Sequence, residues 1–282
     1  MRVLENKNAI ITGGARGVGR ATTERFITDG ARVLICSRTI EELKKTSKEI
    51  DPSGKSLSFI EVDVSNYEEC QKLFAYSKKI FKTLDILVNN AGIYGPIGLL
   101  ETNPPKDWLK TIEINLMGTV YCTQLALEQM KNQKHGKIIN LAGAGVGGKK
   151  PLSRFSAYYT SKAAVAAFTE VIASEVMENN IQVNCISPGA VNTYFTDYLI
   201  AQGPEKAGQM YEQALKQKET GGDSPELGAN LASFLASDQS NNVTGKTLSA
   251  KWDKISDLKN LSPKDSNKYT LRRIDEELFG EK

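Results

Sequence analysis

Ala9-Ile10-Ile11 runs directly into Thr12-Gly13-Gly14-Ala15-Arg16-Gly17-Val18-Gly19, and a helical pattern continues from there to about Asp29. An apolar strand, a glycine-rich turn and a helix start in that order make an anion cradle. Backbone N–H groups of the turn and the open first turn of the helix face the ligand, and glycines let a phosphate come close. A glycine-rich loop on its own is weak, but the strand before it and the helix after it are the context it needs. Gly13, Arg16, Gly17, Val18 and Gly19 are therefore the first cofactor-binding candidates.

Working outward, short apolar runs keep alternating with longer helical patterns, which argues for an α/β chain with a parallel sheet covered on both faces. The second run, Ala31 to Cys36, ends at Ser37-Arg38. In a dinucleotide fold this strand tip meets the adenosine ribose, where an acid accepts from the 2′-OH and repels a 2′-phosphate. No acid is present here. Arg38 follows instead, and with Arg16 it can clamp a phosphate, so the reading is NADP(H) in preference to NAD(H). The third run, Leu57 to Val62, ends in Asp63-Val64, a candidate adenine-edge contact. The fourth, Leu84 to Val88, leads into Asn89-Asn90-Ala91-Gly92, where small residues let a cofactor pass close to the backbone. Asn115 lies in the middle of a long helical pattern, where it is either a satisfied polar core residue or the holder of a water. The fifth run is Gly136 to Leu141, followed by a glycine-rich segment. The sixth, Ile181 to Ile186, opens into Ser187-Pro188-Gly189-Ala190-Val191-Asn192-Thr193, and the last is Val243 to Ser249. A polar, helix-prone stretch from 194 to 222 suits a cover over a substrate pocket.

The chemistry is placed in Tyr158-Tyr159-Thr160-Ser161-Lys162, on a helix expected to run to about Glu178 with Ser156 as its N-cap. Tyr158 and Lys162, four apart, share one helix face, and a neighbouring ammonium favours the phenolate, bringing a phenol toward the range of a general acid or base. Tyr159 has Ala163 at that spacing and lacks the partner. The 282 residues, 40% hydrophobic and 24% charged with a net charge of +3, describe an ordinary globular chain with no charge excess for nucleic acid or membrane. Cys36, Cys70, Cys122 and Cys185 form no CxxC pair and read as core thiols of a reducing cytosol. His135 reads as a loop residue, so no metal site is expected. The polar start carries no signal-peptide pattern, and the expected location is cytoplasmic.

These pieces together resemble the short-chain dehydrogenase/reductase family of the single-domain type. The resemblance rests on Thr12 to Gly19, Asp63-Val64, Asn89 to Gly92, Asn115, Tyr158 to Lys162 and Pro188 to Thr193, and covers about residues 5 to 250. It implies a doubly wound (Rossmann) sheet of about seven mostly parallel strands, an NAD(P)-binding domain over 1–250, and a homodimer or homotetramer acting on a small molecule. It also implies that Tyr158 exchanges a proton with the substrate oxygen, that Lys162 holds the ribose and tunes the tyrosine, and that Asn115 anchors a water. It further implies that Pro188, Gly189, Val191 and Thr193 line the cofactor with Asn90. Two departures stand out. The family places a serine just after the fifth strand, where this chain has Ala142 and Gly143, and Ser153, Ser156 or a backbone N–H of the glycine run are the possible stand-ins. The chain also continues past the last strand as a charged extension, 251–282, expected to pack on the domain or on a neighbouring subunit. Its Tyr269 to Ile274 resembles tails of reductases from surface-polysaccharide gene clusters, which suggests a sugar or sugar-nucleotide substrate met by Lys149, Lys150 and Arg154. The missing serine leaves a second reading open, a catalytically weakened NADP(H) sensor or assembly subunit.

Overall fold

The computed structural model describes residues 2–143, 145–146, 152–262, 265 and 267–271. Seven parallel strands, β1 (Asn8–Thr12), β2 (Arg32–Ser37), β3 (Leu57–Glu61), β4 (Ile86–Asn89), β5 (Gly136–Leu141), β6 (Ile181–Ser187) and β7 (Thr247–Ser249), form one sheet in the order 3-2-1-4-5-6-7. Every residue of β1 and β5 is buried, as it must be when helices cover both faces of a parallel sheet. Alternate side chains serve the two layers. Ile11, Val33, Ile35 and Val88 pack with Phe26, Leu231 and Phe234 on one face, while Ile10, Leu34, Leu87 and Ile138 pack with Leu73, Phe74 and Met130 on the other. Burying one such side chain completely contributes roughly 1.5–3 kcal/mol.

The helices are α1 (Gly17–Thr28), α2 (Ile40–Ile50), α3 (Tyr67–Ile80), α4 (Pro105–Ile112), α5 (Gly118–Gln133), α6 (Ser156–Glu175), α7 (Tyr194–Ala201), α8 (Gly203–Ala207), α9 (Gln209–Thr220), α10 (Pro225–Ala236) and α11 (Ile255–Lys259). A π-turn, Glu113–Met117, joins α4 to α5. Because β1 pairs with β2 on one side and β4 on the other, the chain leaves β1 in opposite directions and opens a crevice at the carboxyl ends of these strands. The glycine loop and Asn89 to Gly92 both emerge there.

The structure differs from the sequence expectations at several ends. The helix carrying Tyr158 stops at Glu175, and a 3₁₀ turn with the left-handed Asn180 after it carries the chain into β6. Ser156 is the first helical residue and not the cap; its hydroxyl accepts from Trp108 Nε1 at 3.2 Å, and Phe155 precedes the helix without a side-chain cap. Only Thr247–Ser249 of the last apolar run is a strand, because Gly245 turns the chain at φ 68° just before it. Cys70 and Cys122, 52 residues apart in sequence, meet in the core with their sulfurs 3.9 Å apart, and all four cysteines are free and buried. Among the described residues no helix is long and apolar enough to cross a membrane.

Beyond residue 250 the chain returns to the sheet edge. Thr247 donates its N–H to the Tyr269 carbonyl at 2.7 Å, Lys246 Nζ donates to the carbonyls of Asp265 and Lys268, and Leu258 is fully buried in the layer of α1 and α10. An edge strand whose backbone groups are paired in this way is shielded from further strand addition. Trp252 of this extension is exposed, with Lys251 over its ring. Ile274, Leu278 and Phe279 lie outside the described residues, as do Lys149 and Lys150.

Candidate active site

The glycine loop is held from behind by β4. Asn90 Nδ2 donates to the carbonyls of Thr12 and Gly13 at 2.9 and 3.0 Å, and the N–H groups of Asn90 and Ala91 both donate to Thr12 Oγ1 at 3.0 Å. Two glycines are required by this packing. Gly13 has φ 65° and a Cβ there would lie 2.9 Å from Asn90 Nδ2, while a Cβ at Gly19 would lie 2.2 Å from the Gly13 carbonyl oxygen. Helix α1 then begins with no side-chain cap and no acid in its first turn. Its first N–H groups and its positive dipole end are left to an anion, so this cradle fits the diphosphate of a dinucleotide.

Around the cradle stand the other cofactor candidates. Thr193 faces Gly17, where a Cβ would be 3.1 Å from Thr193 Cγ2, and Thr193 also caps α7. Val18 and Pro188 both pack against Gly228 of α10, Gly189 turns at φ 99° beside Asp223, and Val191 bridges to Gly222. Asp63 Oδ1 accepts from the N–H and hydroxyl of Ser65, and Val64 packs on Gly118. Ser37 Oγ donates to the Thr39 carbonyl.

The two arginines of the expected phosphate clamp have different surroundings. Arg16 makes an ion pair with Glu42 at 3.6 Å and lies 4.7 Å over the ring of Tyr194. Arg38 is exposed, has no ion-pair partner among the described residues, and lines a cleft of about 340 Å³ together with Ile93, Gly95, Asp107 and Tyr198.

The candidate chemical residues Asn115 and Lys162 lie beside the loop that follows β4. A Cβ on Gly92 would be 3.2 Å from Asn115 Oδ1 and 3.4 Å from Lys162 Nζ. Lys162 Nζ donates to the Leu141 carbonyl at 2.8 Å, at the end of β5. Asn115, wholly buried in the π-turn, accepts from Ile93 N–H at 2.8 Å and donates to the Ile93 carbonyl and to Ser161 Oγ, both at 2.9 Å. Its side chain thus bolts the loop after β4 to the helix of Tyr158, and π-turns recur at such functional positions. Ser161 Oγ in turn donates to the Tyr158 carbonyl at 2.7 Å.

Tyr158 is 8% exposed, and the space a side chain at 143 would fill holds its phenol: a Cβ on Gly143 would be 2.6 Å from the Tyr158 hydroxyl. Tyr94 meets Tyr158 edge to face with ring centroids 4.8 Å apart, and also meets Phe155 at 5.4 Å and Phe195 at 4.5 Å. These rings, with Leu199 and partly buried Met210, cover the site. Burial, and then the nearby Tyr94 phenol, push the Tyr158 phenol up. Burial brings the Lys162 ammonium down to about 8, with Cys185 opposing it. The expected pull of Lys162 on Tyr158 is therefore not the dominant influence; desolvation is, and it keeps the phenol protonated.

The stretch 194–222 supplies Phe195, Leu199 and Met210 to the cover, but sequence reasoning missed its aromatic character and the part of Tyr94 and Phe155 in it. Tyr94 lies two residues after Gly92 and Phe195 two after Thr193, so aromatics just beyond both motifs were the available signal. Arg154, read as a pocket-mouth charge, donates to the carbonyls of Glu205 and Lys206 in α8 at 2.8 and 3.4 Å. Lys7, His135 and Lys137 line a separate polar cavity of about 120 Å³ at the amino ends of the strands, where His135 Nε2 meets Asp85 at 2.7 Å.

Comparison with known proteins gives the same fold. Residues 7–203 match the family model for short chain dehydrogenases. The chain is 35% identical over 250 residues to the (2S)-[(R)-hydroxy(phenyl)methyl]succinyl-CoA dehydrogenase subunit BbsD of Thauera aromatica, covering 87% of this chain and 95% of that one. It is 32% identical over 246 residues to the 3-oxoacyl-[acyl-carrier-protein] reductase FabG of Aquifex aeolicus, covering 87% and 96%. Among solved structures, levodione reductase superposes with a TM-score of 0.78 at 26% identity, over 87% of this chain and 96% of that one. With its sheet order, its glycine cradle and these relatives in agreement, the chain belongs to the short-chain dehydrogenase/reductase family of oxidoreductases.

Proposed function

We propose that the protein is an NADP(H)-dependent oxidoreductase interconverting a carbonyl and a secondary alcohol, with Tyr158 as the proton donor or acceptor. The observation that carries this reading is the set of contacts that places Asn115 and Lys162 beside Gly92, next to the glycine cradle, and ties Asn115 through Ser161 to the backbone of Tyr158. NADP(H), when bound, supplies or takes the hydride. The protein's part is geometry and proton transfer. A phenol kept protonated by burial is the form that can give a proton to a carbonyl oxygen as that oxygen gains charge, and the aromatic cover keeps competing water away from it. Lys162, bound to the Leu141 carbonyl, holds a cation at the edge of this chemistry, and Asn115 holds the loop and the helix in register.

Preference for the phosphorylated cofactor is supported by Arg38, which stands exposed just after β2 with no ion-pair partner among the described residues. The substrate reading that fits the walls is a ring-bearing or apolar carbonyl compound. A charged sugar nucleotide is less well served, since the Arg154 guanidinium is already engaged by backbone carbonyls. An assembly of two or four copies is part of this reading, and Leu109 on α4 and Val171 on α6, both exposed, are side chains it would cover.

Replacing Tyr158 by Phe tests the reaction: turnover of a ketone panel with NADPH is expected to disappear while NADPH binding, followed by fluorescence, stays within about threefold. Turnover equal to that of the parent would reject the assignment, and tight NADPH binding with a parent inert on the whole panel would favour the sensor.

A further inference from the structure

A carbonyl oxygen that gains charge in a water-poor site needs more than one hydrogen bond, and Tyr158 supplies one. Positions 142 and 143 carry no hydroxyl, and a side chain at 143 would collide with Tyr158 itself. The hydroxyls around the site are nearly all committed. Ser156 accepts from Trp108, Ser161 donates to the Tyr158 carbonyl, Thr193 caps α7, Tyr198 donates to the Gly95 carbonyl at 3.1 Å, and Tyr159 donates to the Gly145 carbonyl at 3.4 Å. Ser153 is exposed on a turn. Tyr211, partly buried in the same cluster, also has no hydrogen-bond partner among the described residues but makes no ring contact with Tyr158; Tyr94 does. It follows Gly92 by two residues, its ring stands edge to face against that of Tyr158 at 4.8 Å, and its hydroxyl has no hydrogen-bond partner among the described residues.

Resting on the proposed carbonyl chemistry, we infer that Tyr94 is the second hydroxyl donor to the substrate oxygen, doing from the β4 side what no side chain at 142 or 143 can do. In the reducing direction hydride adds to the carbonyl carbon, the π pair moves onto oxygen, and that oxygen takes the Tyr158 proton, which solvent later replaces. Tyr94 gives a hydrogen bond throughout and keeps its proton. Burial suits it to this role by pushing its phenol up to about 12, so that it stays a donor across the working range.

Tyr94→Phe tests this, because it removes one oxygen and keeps the ring contacts with Phe155, Tyr158 and Phe195. With cyclohexanone and acetophenone as probes, kcat is expected to fall by about 10²–10³ while KM and NADPH affinity stay nearly constant. A kcat within about threefold of the parent overturns the role of Tyr94, because a ring that merely packs would be unaffected by the change. Tyr158→Phe in parallel separates the two ideas: a dead Tyr158→Phe beside a parent-like Tyr94→Phe rejects only the second donor, whereas an active Tyr158→Phe rejects the reaction itself. In crystals soaked with NADPH and acetophenone, the Tyr94 oxygen is expected within hydrogen-bond reach of the ketone oxygen. Finding it bonded to a protein carbonyl instead overturns the inference whatever the turnover.

Discussion

Gly143 shows how one missing side chain sets the position of the residue proposed to carry the proton. The Tyr158 phenol occupies the volume next to it, so a Cβ would come within 2.6 Å of the hydroxyl and 2.8 Å of two ring atoms. Both side chains cannot be present without movement, and here the tyrosine has taken the space. Gly143→Ala should therefore force the ring outward against Tyr94. Overpacking of this kind costs roughly 1–3 kcal/mol, readable as a lower urea midpoint. A displacement near 1 Å at a reacting group can cost about 100-fold in rate, so kcat should fall much further than NADPH affinity. Unchanged stability and kcat would mean that the ring moves freely, and the tight placement of Tyr158 would lose its meaning. The glycine's identity was plain in the sequence; its reason was not, since it depends on a ring fifteen positions away.

The elements divide by how far their signals reach along the chain. The glycine loop, its strand and α1 were legible because strand, turn and helix start are consecutive, and the fourth and fifth strands because they are continuous apolar runs. The π-turn at Glu113–Met117 was not, since nothing in a helical pattern marks one extra residue per turn; Asn115 alone hinted at it. The cap of α6 was misread because the competing partner of Ser156, Trp108, comes from another helix. The aromatic cover gathers rings from positions 94, 155, 158 and 195, which no local pattern can join. At the tip of β2, by contrast, the local signal makes a direct prediction. Arg38→Ala should weaken NADPH by about tenfold to a hundredfold, the loss of a charge-assisted contact of roughly 1.5–3 kcal/mol, and leave NADH nearly unchanged. Equal loss for both nucleotides in a fluorescence titration would remove the argument for the 2′-phosphate. Arg16 is the weaker choice, because Glu42 and Tyr194 already hold it.

For the molecule as a whole, burying ionisable groups on both sides of one sheet fixes how stability responds to pH. Lys162 and Lys137 are each brought down to about 8 by burial, and around Lys137 the neighbouring Asp238 opposes that shift while Lys7 adds to it. Between about pH 8 and the ordinary lysine value near 10.4, the unfolded chain holds protons that the folded chain has released, so stability rises with pH in that window. The thiols act in the other direction. Burial pushes Cys36 and Cys185 up to about 12, and Cys122, beside Cys70, is raised as well. Above the ordinary thiol value near 8.5, the unfolded chain loses protons that the folded chain keeps, and stability falls. The buried phenols of Tyr94 and Tyr158 add to that fall from about pH 10 upward. Two lysines against three thiols and two phenols give a shallow maximum between about pH 8 and 9, then a decline. Urea midpoints measured from pH 7 to 10.5 should trace this shape, and Lys137→Met should flatten the rising limb and leave the decline in place. A midpoint that instead climbed steadily to pH 10.5 would mean that the buried thiols ionise in the folded chain, contrary to the closed core in which they lie.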